Sequence, residues 1–187
     1  MGNQHAGEIE LHLRVLSQMF DSLDPSPFHE QDLAREAEEY IIESAKEQGR
    51  RPARSLVIHL DDPAGADERR VGDAVRVHFQ RRVQRLTLRL RDLLRRGWIS
   101  LAIGLGFLVL FFALGQVVIT SFGERPLTEL ARESLLIGGW VAMWKPLEIF
   151  LYDWWPIVGE RRLAAQLGAM DVRIRAARAP EGARGKS

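Results

Sequence analysis

The chain has 187 residues, a formal net charge of +1 and 27% charged residues, a composition that accommodates one small folded domain. It contains no cysteine, which excludes disulfides, thiolate nucleophiles and cysteine-ligated metals. The charges are segregated, because the run between Gly97 and Gly123 is uncharged and the segments on either side carry all of them.

The N-terminal third, residues 8–66, predicts a cytoplasmic strand–helix–strand part. Strict apolar–polar alternation over 8–15 predicts a half-buried strand, and the proline-containing segment 21–28 predicts an irregular turn. A helix is predicted from about Asp32 to Glu47. A second strand is predicted over Arg54–Leu60.

Residues 67–97 are predicted to form a basic amphipathic stalk helix that leads into the membrane. Apolar side chains occupy about a third of its circumference, and arginines cover most of the remainder. Basic side chains beside a membrane span attract anionic lipid headgroups. We expect this role for Arg81, Arg82, Arg85, Arg89, Arg95 and Arg96. Nucleic acid is not an expected partner, because no base-reading motif accompanies the arginines.

The uncharged run between Gly97 and Gly123 predicts a first transmembrane helix over residues 98–122. About 20 apolar residues, each rising 1.5 Å, cross the roughly 30 Å hydrocarbon core of a bilayer. Gln116 lies within this span and needs a hydrogen-bonding partner there.

A second transmembrane helix is predicted over residues 134–155, although it contains Lys145, Glu148 and Asp153. Helical projection separates a polar face from an apolar, tryptophan-rich one, and we expect the polar face to point at protein. That polar face consists of Ser134, Gly138, Val141, Lys145, Glu148 and Tyr152. These bounds place Lys145 near the bilayer midplane, with Glu148 at i+3 close enough to pair with it.

Three interpretations of the Lys145–Glu148 pair remain open. It is a structural pair between helices or subunits, whose close approach is allowed by small residues at 102, 106, 138 and 142. Alternatively it lines an ion or proton pathway or a ligand site, which requires an oligomer because two helices cannot enclose a pore. The third interpretation is a shallower helix from which Lys145 reaches the interface.

The aromatic residues of the predicted spans are typical of a membrane-interface belt. An aromatic cofactor pocket is the alternative interpretation. The belt consists of Trp98, Trp140, Trp144, Trp154 and Trp155, together with Tyr152.

The C-terminal part, residues 160–175, predicts a short helix and a third strand that complete the cytoplasmic domain, followed by a disordered tail over 176–187. Arginines flank both spans on the side of the termini, whereas the loop 124–133 has two arginines and three glutamates. The positive-inside rule therefore places both termini in the cytoplasm. The predicted fold is an α-helical transmembrane hairpin inserted in a small α+β domain with three strands, βαβ-like, of which the first two are parallel.

No catalytic, cofactor-binding or metal-ligating residue is predicted. The histidines at 5, 12, 29, 59 and 78 show no metal-ligand spacing, and no phosphate-binding glycine loop, HExxH or nucleophile elbow is present.

Two segments, FDSLDPSPF at 20–28 and GWVAMWKPLEIFLYDWWP at 139–156, together with LVIHL at 56–60, resemble a group of small bacterial two-span membrane proteins of uncharacterised activity. The resemblance covers residues 8 to 174. It implies a location in the bacterial inner membrane and carries over no activity, cofactor or catalytic residue.

The sequence therefore favours a non-enzymatic inner-membrane protein that acts as an oligomeric scaffold or accessory subunit. Its expected partners are anionic lipids, further copies of itself and another membrane protein. The alternatives are a small oligomeric channel or transporter that uses Lys145 and Glu148, and a membrane-bound enzyme or sensor.

Overall fold

The computed structural model describes residues 7–21, 32–49, 53–63, 65–123 and 126–177. Most of the predicted turn at 21–28 and the tail beyond residue 177 lie outside these ranges. The chain forms two compact units. We call residues 1–85 and 160–187 the sheet unit, and residues 86–159 the hairpin unit.

The sheet unit contains three parallel strands in the order β1-β2-β3: β1 (Glu8–Leu13), β2 (Ser55–Leu60) and β3 (Asp171–Ala176). The predicted parallel pairing of the first two strands is confirmed. The strand ends differ from the prediction. A 3₁₀ turn over Leu16–Met19 follows β1, and β3 extends to Ala176, a residue predicted to be disordered.

Helix α1 (Arg35–Glu47) begins three residues later than predicted. The preceding residues pair instead with the segment after β1, since Phe20 and Leu33 form an antiparallel bridge. The Asp21 amide donates to the Asp32 carbonyl at 2.9 Å, and the Ala34 amide donates to the Met19 carbonyl at 2.9 Å. These bonds satisfy backbone groups that an earlier helix start would have used, and so fix the entry into α1.

One face of the sheet forms the core of the sheet unit. The register aligns alternate apolar residues of the three strands, and the helices supply further buried side chains. Both crossovers advance in the same direction along the sheet, and right-handed crossovers therefore place their helices on one face. The core includes Ile9, Leu11, Leu56, Ile58, Leu60, Ile41, Val71, Val75, Phe79, Leu167 and Val172.

Helix α2 (Glu68–Phe122) joins the predicted stalk and the predicted first span in one uninterrupted helix of 55 residues. Helix α3 (Pro126–Glu148) starts eight residues before the predicted second span, so most of the expected loop 124–133 is helical. Gly123, with φ of 73°, allows the chain to turn, and Pro126 suits the first helical position because no partner for its missing N–H is needed there.

The predicted break before residue 160 is wrong, because helical structure continues from α3 to residue 167. A π-helical turn (Ile149–Asp153) follows Pro146, and α4 (Trp154–Leu167) follows that turn. Proline lacks the N–H of a regular helix, and a π-turn absorbs the local change in backbone hydrogen bonding. The Trp154 indole N–H donates to the Phe150 carbonyl at 2.8 Å within this turn. Two helical stretches, Glu68–Ser121 and Pro126–Leu167, are long and apolar enough to cross a membrane.

Candidate functional site

The hairpin unit is an antiparallel pair of helices that approach closely at small residues. A β-carbon added to Gly97 would lie 2.9 Å from the Ile149 side chain, and one added to Gly104 would lie 2.9 Å from the Ala142 carbonyl oxygen. Farther along, Gly115 of α2 faces Arg132 of α3. In successive contacts along the pair, the residue number rises on α2 and falls on α3. The two helices are therefore antiparallel, with one register throughout.

The expected role of small residues is confirmed for Gly138 and Ala142, which contact α2. On α2, the residue in close contact is Gly104, whereas nothing lies within 4 Å of a β-carbon at Gly106. Ala102 is also exposed. The difference arises from helical phase, since Gly106 is about 200° around the helix from Gly104.

Lys145 and Glu148 form an ion pair along α3, with Nζ 2.9 Å from Oε2. Their side chains are 66% and 43% exposed, and nearby Val141 and Tyr152 are 68% and 70% exposed. Gly138 contacts α2 at Phe111, but these four side chains leave the rest of the predicted polar face turned away from α2. Any protein that covers it in a membrane must be another chain.

In this register, Lys145 does not lie level with the middle of the apolar run of α2. Lys145 lies between Ala142, which contacts Gly104, and Ile149, which contacts Gly97. It is thus roughly 6 Å, four residues of helical rise, from the level of Gly97. The arginine-rich stalk ends at that level, so Lys145 lies closer to the stalk than to the centre of the apolar run of α2.

The aromatic residues of the predicted belt are mostly exposed, including Trp98, Trp140, Trp144 and Trp155. The Trp98 ring packs edge-to-face on Phe150, with centroids 5.6 Å apart. Trp154 is half-buried beside Trp155, and Asp153 is half-buried as well. Gln116 is exposed and lies near the opposite end of the helix pair.

The six arginines expected to bind lipid fall into three groups. Arg81 and Arg82 pair with Asp32 and Glu38 inside the sheet unit, at 3.5 Å in the case of Arg81. Arg95 and Arg96 pair with Asp92 on their own helix, and these guanidinium groups lower the pKa of Asp92. The remaining arginines, Arg85 and Arg89, are exposed.

A buried histidine, His78 of α2, organises the first polar cluster of the sheet unit. Its side chain is 3% exposed, with Nδ1 3.1 Å from Asp32 Oδ1 and Nε2 3.5 Å from Glu38 Oε1. The Leu33 amide also lies 3.3 Å from Nδ1. The Glu38 pKa is lowered by the hydrogen bond from His78, by the charge of His78 and by Arg82, against the opposing effect of burial. The cluster ties α1 and the segment before it to α2.

A second polar cluster lies on the face of the sheet opposite the core. His12, His59 and Arg175 occupy one cross-strand row. The two imidazoles stack, with centroids 4.5 Å apart and planes 15° apart. Glu10 stands two residues before His12 on the same face. Burial, His12 and Arg175 lower the pKa of His59, while Glu10 opposes the change.

Spacing along the chain does not reveal this second cluster, because its histidines are 47 residues apart. The signal that could have found it was the predicted parallel pairing of 8–15 with 54–60. Aligning the two alternating patterns places His12 beside His59.

Comparison with known proteins finds no relative of this chain. The resemblance to two-span bacterial proteins stays a prediction, and function must be argued from the residues themselves. The chain matches no protein-family model, no curated protein and no solved structure.

Proposed function

We propose that this chain is a non-enzymatic integral protein of the bacterial inner membrane that works as a homo-oligomeric scaffold or accessory subunit. The hairpin unit provides the anchor, and the sheet unit provides a cytoplasmic interaction domain. The observation that carries the proposal is the closely packed helix pair whose outward surface is built from large apolar side chains. In water such a surface favours association or aggregation, whereas lipid tails solvate it.

Self-association is supported by the outward polar face of α3. An ion pair on the lipid-facing surface of a single hairpin loses hydration, and a second copy that covers it restores polar contacts. Val141 and Lys145 on this face are 68% and 66% exposed. We therefore place the contact between copies on the face defined by Val141, Lys145 and Tyr152.

The absence of cysteine allows a direct test with single-cysteine variants in nanodiscs or native membranes. Val141→Cys reports on the polar face, and Trp140→Cys is the matched control, since Trp140 is 71% exposed and points in a direction about 100° away. We expect oxidative cross-linking of Val141→Cys and little of Trp140→Cys. Equal cross-linking of both variants, or a monomeric mass in nanodiscs, contradicts the oligomeric scaffold.

The same exposed pair favours a second candidate function, a small oligomeric channel or transporter. If the polar face lines a path between copies, proteoliposomes show ion flux that changes when Lys145 is neutralised. A scaffold shows no such flux. Insertion itself is tested separately: extraction of the protein by alkaline carbonate without detergent, or tags at the two termini on opposite sides of the membrane, contradicts the two-span anchor.

A further inference from the structure

We propose that Glu10, His12 and His59 form a binding site for a divalent first-row transition-metal ion on the sheet unit. This site is independent of the membrane anchor and of the oligomeric state. The three residues come from adjacent parallel strands, because His12 is directly opposite His59 in the register and Glu10 precedes His12 by two residues. One ligand atom from each residue lies within 4.8 Å of the other two.

The separations leave only a small movement to complete a coordination sphere. Three ligands held about 2.1 Å from a tetrahedral ion are roughly 3.4 Å apart, so ligand atoms that lie up to 4.8 Å from one another must close by up to about 1.4 Å. The imidazole planes are stacked and nearly parallel, and their lone pairs therefore do not yet converge. The His12 ring is exposed, so it has room to rotate about χ2 when an ion binds.

His59 carries an unused ligand atom. Its Nε2 is buried and has no hydrogen-bond partner among the residues that the structure describes. An unsatisfied buried polar atom destabilises the folded protein, and coordination through this nitrogen would satisfy it.

The donor set selects the class of ion. Two imidazoles and one carboxylate suit Zn²⁺, Fe²⁺, Co²⁺, Ni²⁺ or Cu²⁺, whereas Ca²⁺ and Mg²⁺ prefer sites made of oxygen alone. Three protein ligands leave a further position for water or another ligand.

The test uses the full-length protein in detergent, stripped with chelator and titrated with Zn²⁺ by calorimetry. We expect one saturable site per chain. His12→Gln and Glu10→Gln should each weaken Zn²⁺ binding by at least about tenfold, because loss of even an outer-shell partner of a metal ligand typically costs 10–100-fold. Glu8→Gln is the matched control, because Glu8 is on the same face of β1 but outside the cluster.

A variant that lacks a nearby positive charge should strengthen Zn²⁺ binding instead of weakening it. This result separates an effect on coordination from a general loss of folding. Arg175→Gln removes a positive charge beside His59 and should strengthen Zn²⁺ binding several-fold. X-ray absorption of the Zn²⁺ complex should show nitrogen and oxygen ligands at about 2.0–2.1 Å. Binding that is unchanged in both His12→Gln and Glu10→Gln, or the absence of saturable binding, overturns the proposal.

Discussion

The α-carbon of Gly104 faces the carbonyl oxygen of Ala142, the carbonyl that Pro146 leaves without its regular helical hydrogen bond. A β-carbon at Gly104 would lie 2.9 Å from that oxygen. Gly104→Ala should therefore destabilise the hairpin unit by about 1–3 kcal/mol, the usual cost of overpacking a tight contact. The measurement is the thermal or denaturant midpoint of the protein in nanodiscs.

Gly106→Ala is the internal control for this contact, since nothing lies within 4 Å of its added β-carbon. Alanine favours helix by up to about 1 kcal/mol relative to glycine, so this variant should be neutral or more stable. If Gly104→Ala and Gly106→Ala have the same stability, the two helices do not pack in the register described above.

The Lys145–Glu148 pair should behave as a coupled unit. Removing one partner leaves a lone charge on the outer face of α3, and replacing both removes the cost of desolvating charge. We expect Lys145→Leu and Glu148→Leu each to reduce assembly, and the double variant to retain or improve it. A double-mutant cycle read by the oligomer fraction in nanodiscs measures the coupling; additive effects would count against the pair as a structural contact.

Glu38 should make the sheet unit sensitive to acid. Its pKa is lowered in the folded state, so its contribution to stability is present above its unfolded pKa of about 4.5 and is lost as pH falls toward the folded value. Glu38→Gln should cost about 2 kcal/mol at pH 7, because hydrogen bonds to charged groups are lost. Below pH 4.5 the stability of the variant should also fall less steeply than that of the unmodified protein, as measured by chemical denaturation.

Glu36→Gln provides the comparison for Glu38, because Glu36 is exposed in the first turn of the same helix. It should change stability by less than about 0.5 kcal/mol, the usual range for a surface site. An equal loss in the two variants would mean that the cluster around His78 does not depend on the charge of Glu38.

The stalk arginines should differ in lipid contact according to their distance from the apolar run. Arg95 and Arg96 lie within two residues of Gly97, although they pair with Asp92, whereas Arg89 and Arg85 lie about 12 and 18 Å farther along the helix. The attraction of about 1 kcal/mol per charge falls off within a Debye length, so replacing Arg95 and Arg96 by Gln should reduce anionic-lipid preference by up to roughly 30-fold, and replacing Arg85 and Arg89 should reduce it less. Mass spectrometry of co-purified lipid checks this, and an equal change in the two double variants contradicts it.

Periodicity predicted most of the elements and little of the site. The alternation around Ile9 and Leu11 identified β1, and the apolar run after Gly97 identified the end of α2 at Phe122. Helix starts were harder to locate, because the start of α1 depends on a bridge to Phe20 that no local pattern encodes.

Whether a side chain of α3 faces protein or the outer surface depends on which residues of α3 contact α2. Projection assigned Lys145 and Trp140 to opposite faces, but it could not show that both are exposed and that the contact with α2 uses the buried Gly139. The grouping of His12 and His59 likewise depends on strand register. Register is a pairwise property that the pattern of a single strand does not contain.

The staggered apolar segments of the two helices have a consequence for lipid thickness. Arg132 is level with Gly115, and Ile149 is level with Gly97, so the two helices share a slab of about 18 residues, or roughly 27 Å, between these contacts. This slab is slightly thinner than a typical hydrocarbon core of about 30 Å. Bilayers with short acyl chains should therefore accommodate the protein with the least deformation, and longer chains should compress around it.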